Sequence, residues 1–400
     1  MFRKFLKVRN VLVSLWLLFC IYVIIDIYPK PIEELFLPQA ITHGRWRNLK
    51  QNQIDKLSNL GRILFLQETP PPIKQLSTPY KILMWKYGKS VSKRHIRNES
   101  NPFQDCPVQN CQLSYNSSDL NTADLVVIHL HRTKNLNDLP VRTNNSQLWA
   151  FLSDESPRNI FLHSKNNKVA NYNNVFNWSM SYRMVSDIPV PYGRTVSLID
   201  EFDKMNILEW NKSKKQDVLV AAMISHCTKK RSSYIAELNK TMKVDFYGGC
   251  GNLKCKGHFH SDCEKLSKYK FFLSFENSFC DEYITEKVWW NAYNKNAIPI
   301  VMGPSKSNLK QILPPNSFID VNDFWSPTQL GKFLLNLNKS LDKLEKYFEW
   351  TRNFAVLNEH GYFRSKSVHY CRMCEALNYN SRETKIYDNL EEYFGLNLCR

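Results

Sequence analysis

Glu155 closes an apolar run, Leu148 to Leu152, and stands just before Ser156-Pro157. A carboxylate at the end of a strand is placed to take a proton from a bound hydroxyl; the residues alone favour the plainer reading, a loop carboxylate that caps the next turn. Arg231 follows a second apolar run and the loop Ser225-His226-Cys227-Thr228-Lys229-Lys230. A cation fixed there suits a phosphate, although Lys229 and Lys230 beside it also read as a solvated basic cluster. A third group lies in Phe275-Glu276-Asn277-Ser278-Phe279-Cys280-Asp281-Glu282-Tyr283-Ile284-Thr285-Glu286-Lys287. Thr285 reads as a helix N-cap, with Glu286 and Lys287 in the first turn. A helix N-terminus offers unpaired N–H groups and a partial positive charge, so a lysine there suits a phosphate. Glu286 either bonds a sugar hydroxyl or complements the dipole. Taken alone, these residues define an anion or nucleotide site near a strand-to-helix turn.

The elements that must position them are legible as apolar runs. Tyr80 to Trp85, Asp124 to Leu130 and Leu148 to Leu152 read as strands, and Asp217 to Ile224, Lys243 to Tyr247, Phe271 to Phe275 and Ala297 to Met302 as a second series. Arg231 to Lys240 reads as a helix, and Gly248-Gly249 permits a tight turn. Ser326-Pro327-Thr328-Gln329 combines an N-cap, proline at the first helical position and a capping-box glutamine, and opens a largely helical stretch to about Phe354. Strands alternating with helices, twice over, predict two Rossmann-like α/β domains with parallel sheets, at 80–205 and 206–385. The polar stretch Asp200 to Lys215 links them, and 386–400 reads as a C-terminal tail. Ligands of such sheets bind at the carboxyl ends of strands, here in the cleft between the halves.

The N-terminus sets the compartment. Arg3, Lys4, Lys7 and Arg9 precede an uncharged run, Val11 to Ile25, whose apolar character continues to Tyr28. This is a short transmembrane span, and Ile24 to Tyr28 hold no small residues for signal cleavage. Residues 1–10 are expected to be a cytosolic tail, 11–28 an uncleaved signal-anchor, and the remainder lumenal. A short anchor suits the thinner early secretory membranes. Residues 29–79 are polar, end in Thr69-Pro70-Pro71-Pro72 and Thr78-Pro79, and read as an extended stem. Sequons at Asn98, Asn116, Asn144, Asn177, Asn211, Asn239 and Asn338 fit a secretory protein.

Of eleven cysteines, Cys20 lies in the span. The other ten, Cys106, Cys111, Cys227, Cys250, Cys255, Cys263, Cys280, Cys371, Cys374 and Cys399, read as disulfides in an oxidising lumen, their pairing open. The rival is zinc, on Cys250, Cys255, His258, His260 and Cys263 or on the Cys371–Cys374 CxxC; a membrane anchor argues against it. The formal net charge of +17 suggests polyanionic partners, and lumenal topology excludes nucleic acid.

The run from Phe275 to Lys287 closely resembles the donor-binding signature of the α1,3-fucosyltransferases, glycosyltransferase family 10, which take GDP-fucose. Glu155-Ser156-Pro157, Tyr247-Gly248-Gly249-Cys250-Gly251, Phe176 to Arg183 and Ser186 to Gly193 also match family blocks, so the resemblance spans about residues 80 to 380. It implies a GT-B fold, with an acceptor-side first domain and a GDP-fucose-binding second domain. It also implies Glu155 as general base and Ser225, Arg231, Asn277, Tyr283, Glu286 and Lys287 as donor-binding residues. Trp178 is a candidate to stack on the acceptor sugar, although aromatic residues more often serve as core.

The reaction so implied is inverting single displacement from GDP-β-L-fucose to the 3-hydroxyl of N-acetylglucosamine (GlcNAc), in an N-glycan or another glycoprotein acceptor. The implied setting is the Golgi membrane, as a type II protein. No cofactor or metal is expected to be essential, and the chain has no Asp-x-Asp in a strand-end loop, although some members respond to Mn2+. Glu282 replaces the family's usual aspartate, and Val185 an acidic residue; Cys280 within the signature is closer to plant and invertebrate members. The competing readings are a non-catalytic lumenal protein that binds polyanions or glycans, and an inactive relative that keeps the fold. Neither explains why Glu155, Arg231 and Lys287 coexist within such blocks.

Overall fold

The structure is a computed structural model and describes residues 46–73, 77–86, 95, 101–161, 164, 166–256, 261–383 and 385–400. The expected cytosolic tail and membrane span lie outside these residues, and among the described residues no helix is long and apolar enough to cross a membrane. The second half of the expected stem is a correction. Residues 46–67 carry two helices, α1 (Gln51–Ile54) and α2 (Asn59–Leu66), rather than an extended spacer. Ser58 caps α2 by accepting from the Gly61 N–H at 3.0 Å, and Leu60, Leu64 and Phe65 are buried in the first core. Buried Arg47 donates to the carbonyls of Phe65, Gln311 and Thr195. No proline lies between Pro38 and Pro70, so the proline-rich ends of the expected stem did not describe the segment between them.

The apolar runs become strands buried on both faces, as parallel sheets require. The first sheet holds β1 (Tyr80–Met84), β2 (Cys111–Ser114), β3 (Leu125–His129), β4 (Leu148–Ser153), β5 (Trp178–Ser181) and β6 (Ile188–Pro189) in the order β2-β1-β3-β4-β5-β6. Every pairing is parallel, for example Leu125 with Leu148 and His129 with Leu152. After β7 (Gly193–Ser197) and α3 (Ile207–Ser213), the second sheet begins. It holds β8 (Val220–Met223), β9 (Val244–Tyr247), β10 (Phe271–Phe275), β11 (Ile298–Met302) and β12 (Ile319–Asp320), all parallel, in the order β12-β11-β10-β8-β9. The order reverses between β8 and β10, which is where such a sheet opens a binding crevice.

Helices α4 (Lys229–Leu238), α5 (Glu286–Trp289), α6 (Lys306–Ile312), α7 (Pro327–Leu337) and α8 (Leu341–Glu345) connect and flank these strands. Ser326 Oγ accepts from the Gln329 N–H at 3.2 Å, while the Gln329 side chain accepts from the Trp325 N–H. The expected N-cap therefore forms, with its reciprocal bond shifted by one residue.

The C-terminal region corrects the expected boundaries. The second α/β unit does not run to 385. At β13 (Phe354–Asn358) the chain crosses back and pairs antiparallel with β7, Phe354 opposite Ser197 and Asn358 opposite Gly193. Helix α9 (His369–Tyr379) is tied to the first sheet by Cys106–Cys371 and Cys111–Cys374. Residues 386–400 are not a free tail: α10 (Leu390–Phe394) buries Phe394 completely, against Phe151 at 5.6 Å and Tyr182 at 5.9 Å. Cys399 then pairs with Cys280. With Cys227–Cys250 and Cys255–Cys263, all ten expected cysteines are disulfide-bonded, which removes the thiolates that the zinc reading needed.

Candidate active site

The two sheets present their carboxyl ends to a cavity of about 540 Å³. Glu155, Ser225, Arg231, Asn277, Tyr283, Glu286 and Lys287 all line it. Glu155 follows β4, Ser225 follows β8 and Asn277 follows β10, so three strand ends deliver these side chains. Arg231 lies in the first turn of α4, and Gly248 makes the turn after β9 at φ +92°, where an added Cβ would lie 2.5 Å from the Ile224 carbonyl. That conformation and that closeness both select glycine.

Glu155 is held from the opposite sheet. Its Oε1 accepts from the Tyr283 hydroxyl at 2.7 Å and from Asn277 Nδ2 at 3.3 Å, and also from the Ser156 N–H at 3.0 Å. Burial first, then the neighbouring Tyr192 and Glu155, raises the Tyr283 hydroxyl well above its ordinary range. It therefore stays protonated and serves as a donor. Ser278 Oγ donates to Ser156 Oγ at 2.6 Å, a third bond between the same loops. Among the described residues the protein donors to this carboxylate all bond Oε1 and none bonds Oε2, which suits Oε2 to a substrate hydroxyl.

Lys287 and Arg231 are built differently. Lys287 Nζ donates to Glu276 Oε2 at 3.1 Å, Thr285 Oγ1 at 2.7 Å and Glu286 Oε1 at 3.3 Å. Burial opposes its charge, but Glu276 and Glu286 overcome that and raise it above the usual lysine range. Glu276 is 1% exposed and accepts from the Thr285 N–H and hydroxyl, so it fixes the loop that carries the lysine. Burial lowers Arg231, whose guanidinium donates to the carbonyls of Phe275 and His226 and to Thr228 Oγ1. Both cations face the cavity from positions that other groups fix.

Several expectations change. Helix α5 has only four residues and Thr285 makes no side-chain cap bond, so the lysine ammonium rather than a helix dipole carries the positive charge there. Trp178 is 2% exposed within β5 and does not line the cavity; it is core, not an acceptor platform. Asn177 is 1% exposed, donates to the Lys385 carbonyl at 2.9 Å and accepts from the Trp149 N–H at 3.0 Å, which leaves no room for a glycan. Asn116, Asn144 and Asn239 are exposed, Asn211 and Asn338 half-buried, and Asn98 lies outside the described residues.

The cavity also gathers residues the sequence reading passed over: Tyr192, His226, Lys254, Asn291, Tyr362 and Phe363. Lys254 Nζ donates to the Gly248 and Gly251 carbonyls at 2.6 and 2.9 Å, and its place just after the glycine turn was the available signal. Tyr362 and Phe363 arrive only because the chain crosses back after β13. One residue before Glu155, Asp154 Oδ1 lies 3.1 Å from His369 Nε2 and 3.2 Å from His360 Nε2. His95, Asp154 and His369 bring metal-ligating atoms within 4.8 Å of one another.

A carboxylate fixed on one sheet, facing two fixed cations and a polar cavity on the other, defines a two-sheet transferase of the glycosyltransferase kind. Sequence comparison with known proteins agrees. Residues 77–193 match the family model described as fucosyltransferase, N-terminal, and residues 212–393 match glycosyltransferase family 10 (fucosyltransferase) C-term. Glycoprotein 3-alpha-L-fucosyltransferase A of Drosophila melanogaster is 31% identical over 386 residues, covering 94% of this chain and 72% of that protein. A 4-galactosyl-N-acetylglucosaminide 3-alpha-L-fucosyltransferase of Homo sapiens is 34% identical over 277 residues, covering 68% of this chain and 69% of its own. A solved alpha1,3-fucosyltransferase with GDP-fucose aligns over 83% of this chain and 98% of its own, with 17% identity and a TM-score of 0.49. The chain belongs to the α1,3-fucosyltransferases of glycosyltransferase family 10.

Proposed function

We propose that this chain moves L-fucose from GDP-β-L-fucose to the 3-hydroxyl of a GlcNAc residue in a glycoprotein glycan, by inverting single displacement. The observation that carries this is the fixed Glu155 carboxylate, with Tyr283 on Oε1, across the cavity from Arg231 and Lys287. Glu155 Oε2 takes the acceptor hydroxyl proton as the oxygen bonds to the anomeric carbon. The bond to the diphosphate breaks, and GDP leaves with its new charge beside the two cations. Cations held in place before the reaction stabilise charge that develops at departure. One base on one face of the sugar suffices for inversion. The N-terminal span and lumenal sequons support a Golgi type II membrane enzyme. Stimulation by Mn2+, when it occurs, would act on the leaving diphosphate.

The test incubates the purified chain with GDP-fucose and a panel of defined N-glycans, reading mass gain and linkage. Fucose on the innermost GlcNAc, resistant to a core-α1,6-specific fucosidase and lost in Glu155→Gln, gives a core enzyme. Fucose on an antennal GlcNAc gives a Lewis-type enzyme. Binding of GDP-fucose without any transfer overturns the catalytic reading.

A further inference from the structure

Three imidazoles and one carboxylate converge at the end of β4, and the reaction uses none of them. Asp154 Oδ1 lies 3.1 Å from Nε2 of His369 and 3.2 Å from Nε2 of His360. The His95 ring stacks on His369 at 3.8 Å, and the His360 and His369 rings stand edge to face at 4.6 Å. All three histidines are buried, at 7%, 2% and 1% exposed. We propose that His95, Asp154 and His369, with His360 as the fourth ligand, form a structural site for a zinc-class transition-metal ion.

The spacing favours it. Zinc binds imidazole nitrogen at ~2.0–2.1 Å and carboxylate oxygen at ~2.0–2.2 Å, so neighbouring ligands in a tetrahedron lie roughly 3.3 Å apart. The two contacts of Asp154 already have that separation. The ligand atoms of His95, Asp154 and His369 fall within 4.8 Å of one another, and His360 joins the group through its 3.2 Å approach to Asp154. The donor set favours zinc over manganese or magnesium, because imidazole suits the later transition metals and oxygen ligands suit the harder ions.

The outer contacts are those of a held site. Ser367 Oγ lies 2.6 Å from His95 Nδ1, which fixes that ring's orientation. Tyr192 stacks face to face on His360 at 3.9 Å, and its hydroxyl donates to the Asp154 carbonyl at 2.9 Å.

The ligands come from three distant parts of the chain: His95 lies between β1 and β2, Asp154 follows β4, and His360 and His369 belong to the returning C-terminal segment. An ion there would pin that segment to the strand end whose next residue is Glu155. Its role is positioning, outside the atoms that react.

The experiment uses the full chain, purified without chelator and split between dialysis against EDTA and against zinc. Metal content, the rise in Tm on adding zinc, and the visible absorption of the Co2+-loaded chain are read for wild type, His95→Gln and His369→Gln. The expected result is roughly one zinc per chain, a zinc-dependent rise in Tm, and tetrahedral cobalt bands. Each variant should bind zinc at least tenfold more weakly. Binding below about a tenth of an ion per chain overturns the proposal. So does wild-type affinity in both folded variants, or tighter binding of Mn2+ than of Zn2+. Should the variants fail to fold, octahedral rather than tetrahedral cobalt bands in wild type overturn it alone. No readout depends on fucosyl transfer, so failure here is distinct from failure of the proposed reaction.

Discussion

The Tyr283 hydroxyl donates to Glu155 Oε1 across 2.7 Å, joining the loop after β10 to the end of β4. The bond crosses from one sheet to the other, so the base is oriented by the half of the molecule that holds the cations. Loss of a general base costs ~10²–10⁴-fold in rate. Glu155→Gln is expected to lower kcat by that order and leave the Kd for GDP within about twofold. A hydrogen bond to a charged group contributes ~1.5–3 kcal/mol, so Tyr283→Phe should lower kcat roughly ten- to a hundredfold. Calorimetric GDP binding beside steady-state rates separates the effects. Equal loss of GDP affinity in both variants would show that the pair serves the donor pocket instead.

Lys287 has two roles that can be separated. Its ammonium faces the cavity and also neutralises Glu276, 3.1 Å away and 1% exposed. Removing one member of a buried pair leaves the other uncompensated, at ~3–5 kcal/mol. Lys287→Met should therefore lower both Tm and turnover. Adding Glu276→Gln removes the stranded carboxylate, so the double variant is expected to regain most of the Tm but not the turnover. Recovery of both would make the lysine structural only.

How far the sequence carried this reading depends on how local each feature is. Strands such as β4 and β10 were legible because a buried parallel strand must be a continuous apolar run. Glu155, Arg231 and Lys287 stood out because strand ends and adjoining turns follow those runs in the chain, whereas Asn277 came only with the family resemblance. Trp178 was misplaced because a four-residue strand with serines at 179 and 181 reads locally as a polar loop; burial comes from the strands on either side. The disulfide partners Cys111 and Cys374 are 263 residues apart, and no local pattern selects one pairing among ten cysteines. The crossing back at β13 is invisible for the same reason: its partner, β7, lies before the whole second sheet.

That crossing makes the last fifteen residues structural. Phe394 is fully buried against Phe151 and Tyr182, and Cys399 closes onto Cys280 inside the donor-side loop. Truncating a buried phenylalanine to alanine costs ~3–5 kcal/mol. Phe394→Ala should lower stability by that order in a urea titration, and a chain ended after residue 385 should lose the fold altogether while leaving Cys280 without its partner. A truncated chain with wild-type Tm and activity would return this segment to the status of a tail.

Lys214 makes stability depend on pH in a direction that can be read in advance. The residue is 5% exposed, and its ammonium donates to the carbonyls of Ser267 and Lys295 at 2.7 and 2.9 Å. Burial, helped by Lys268, pushes it down to about 7. An unfolded lysine titrates near ~10.4, so between these values the unfolded chain binds more protons than the folded one. Stability from this group must then rise with pH across that window and stay flat below it, where both states are protonated. Other groups titrate over the same range, so the comparison is with Lys214→Met. The wild type should gain about 1–3 kcal/mol relative to that variant between about pH 7 and 9.5, in urea midpoints at several pH values. The two carbonyls pull the other way, because they accept from the charged form. Parallel slopes in the two proteins would mean that these bonds hold the proton on the buried lysine throughout.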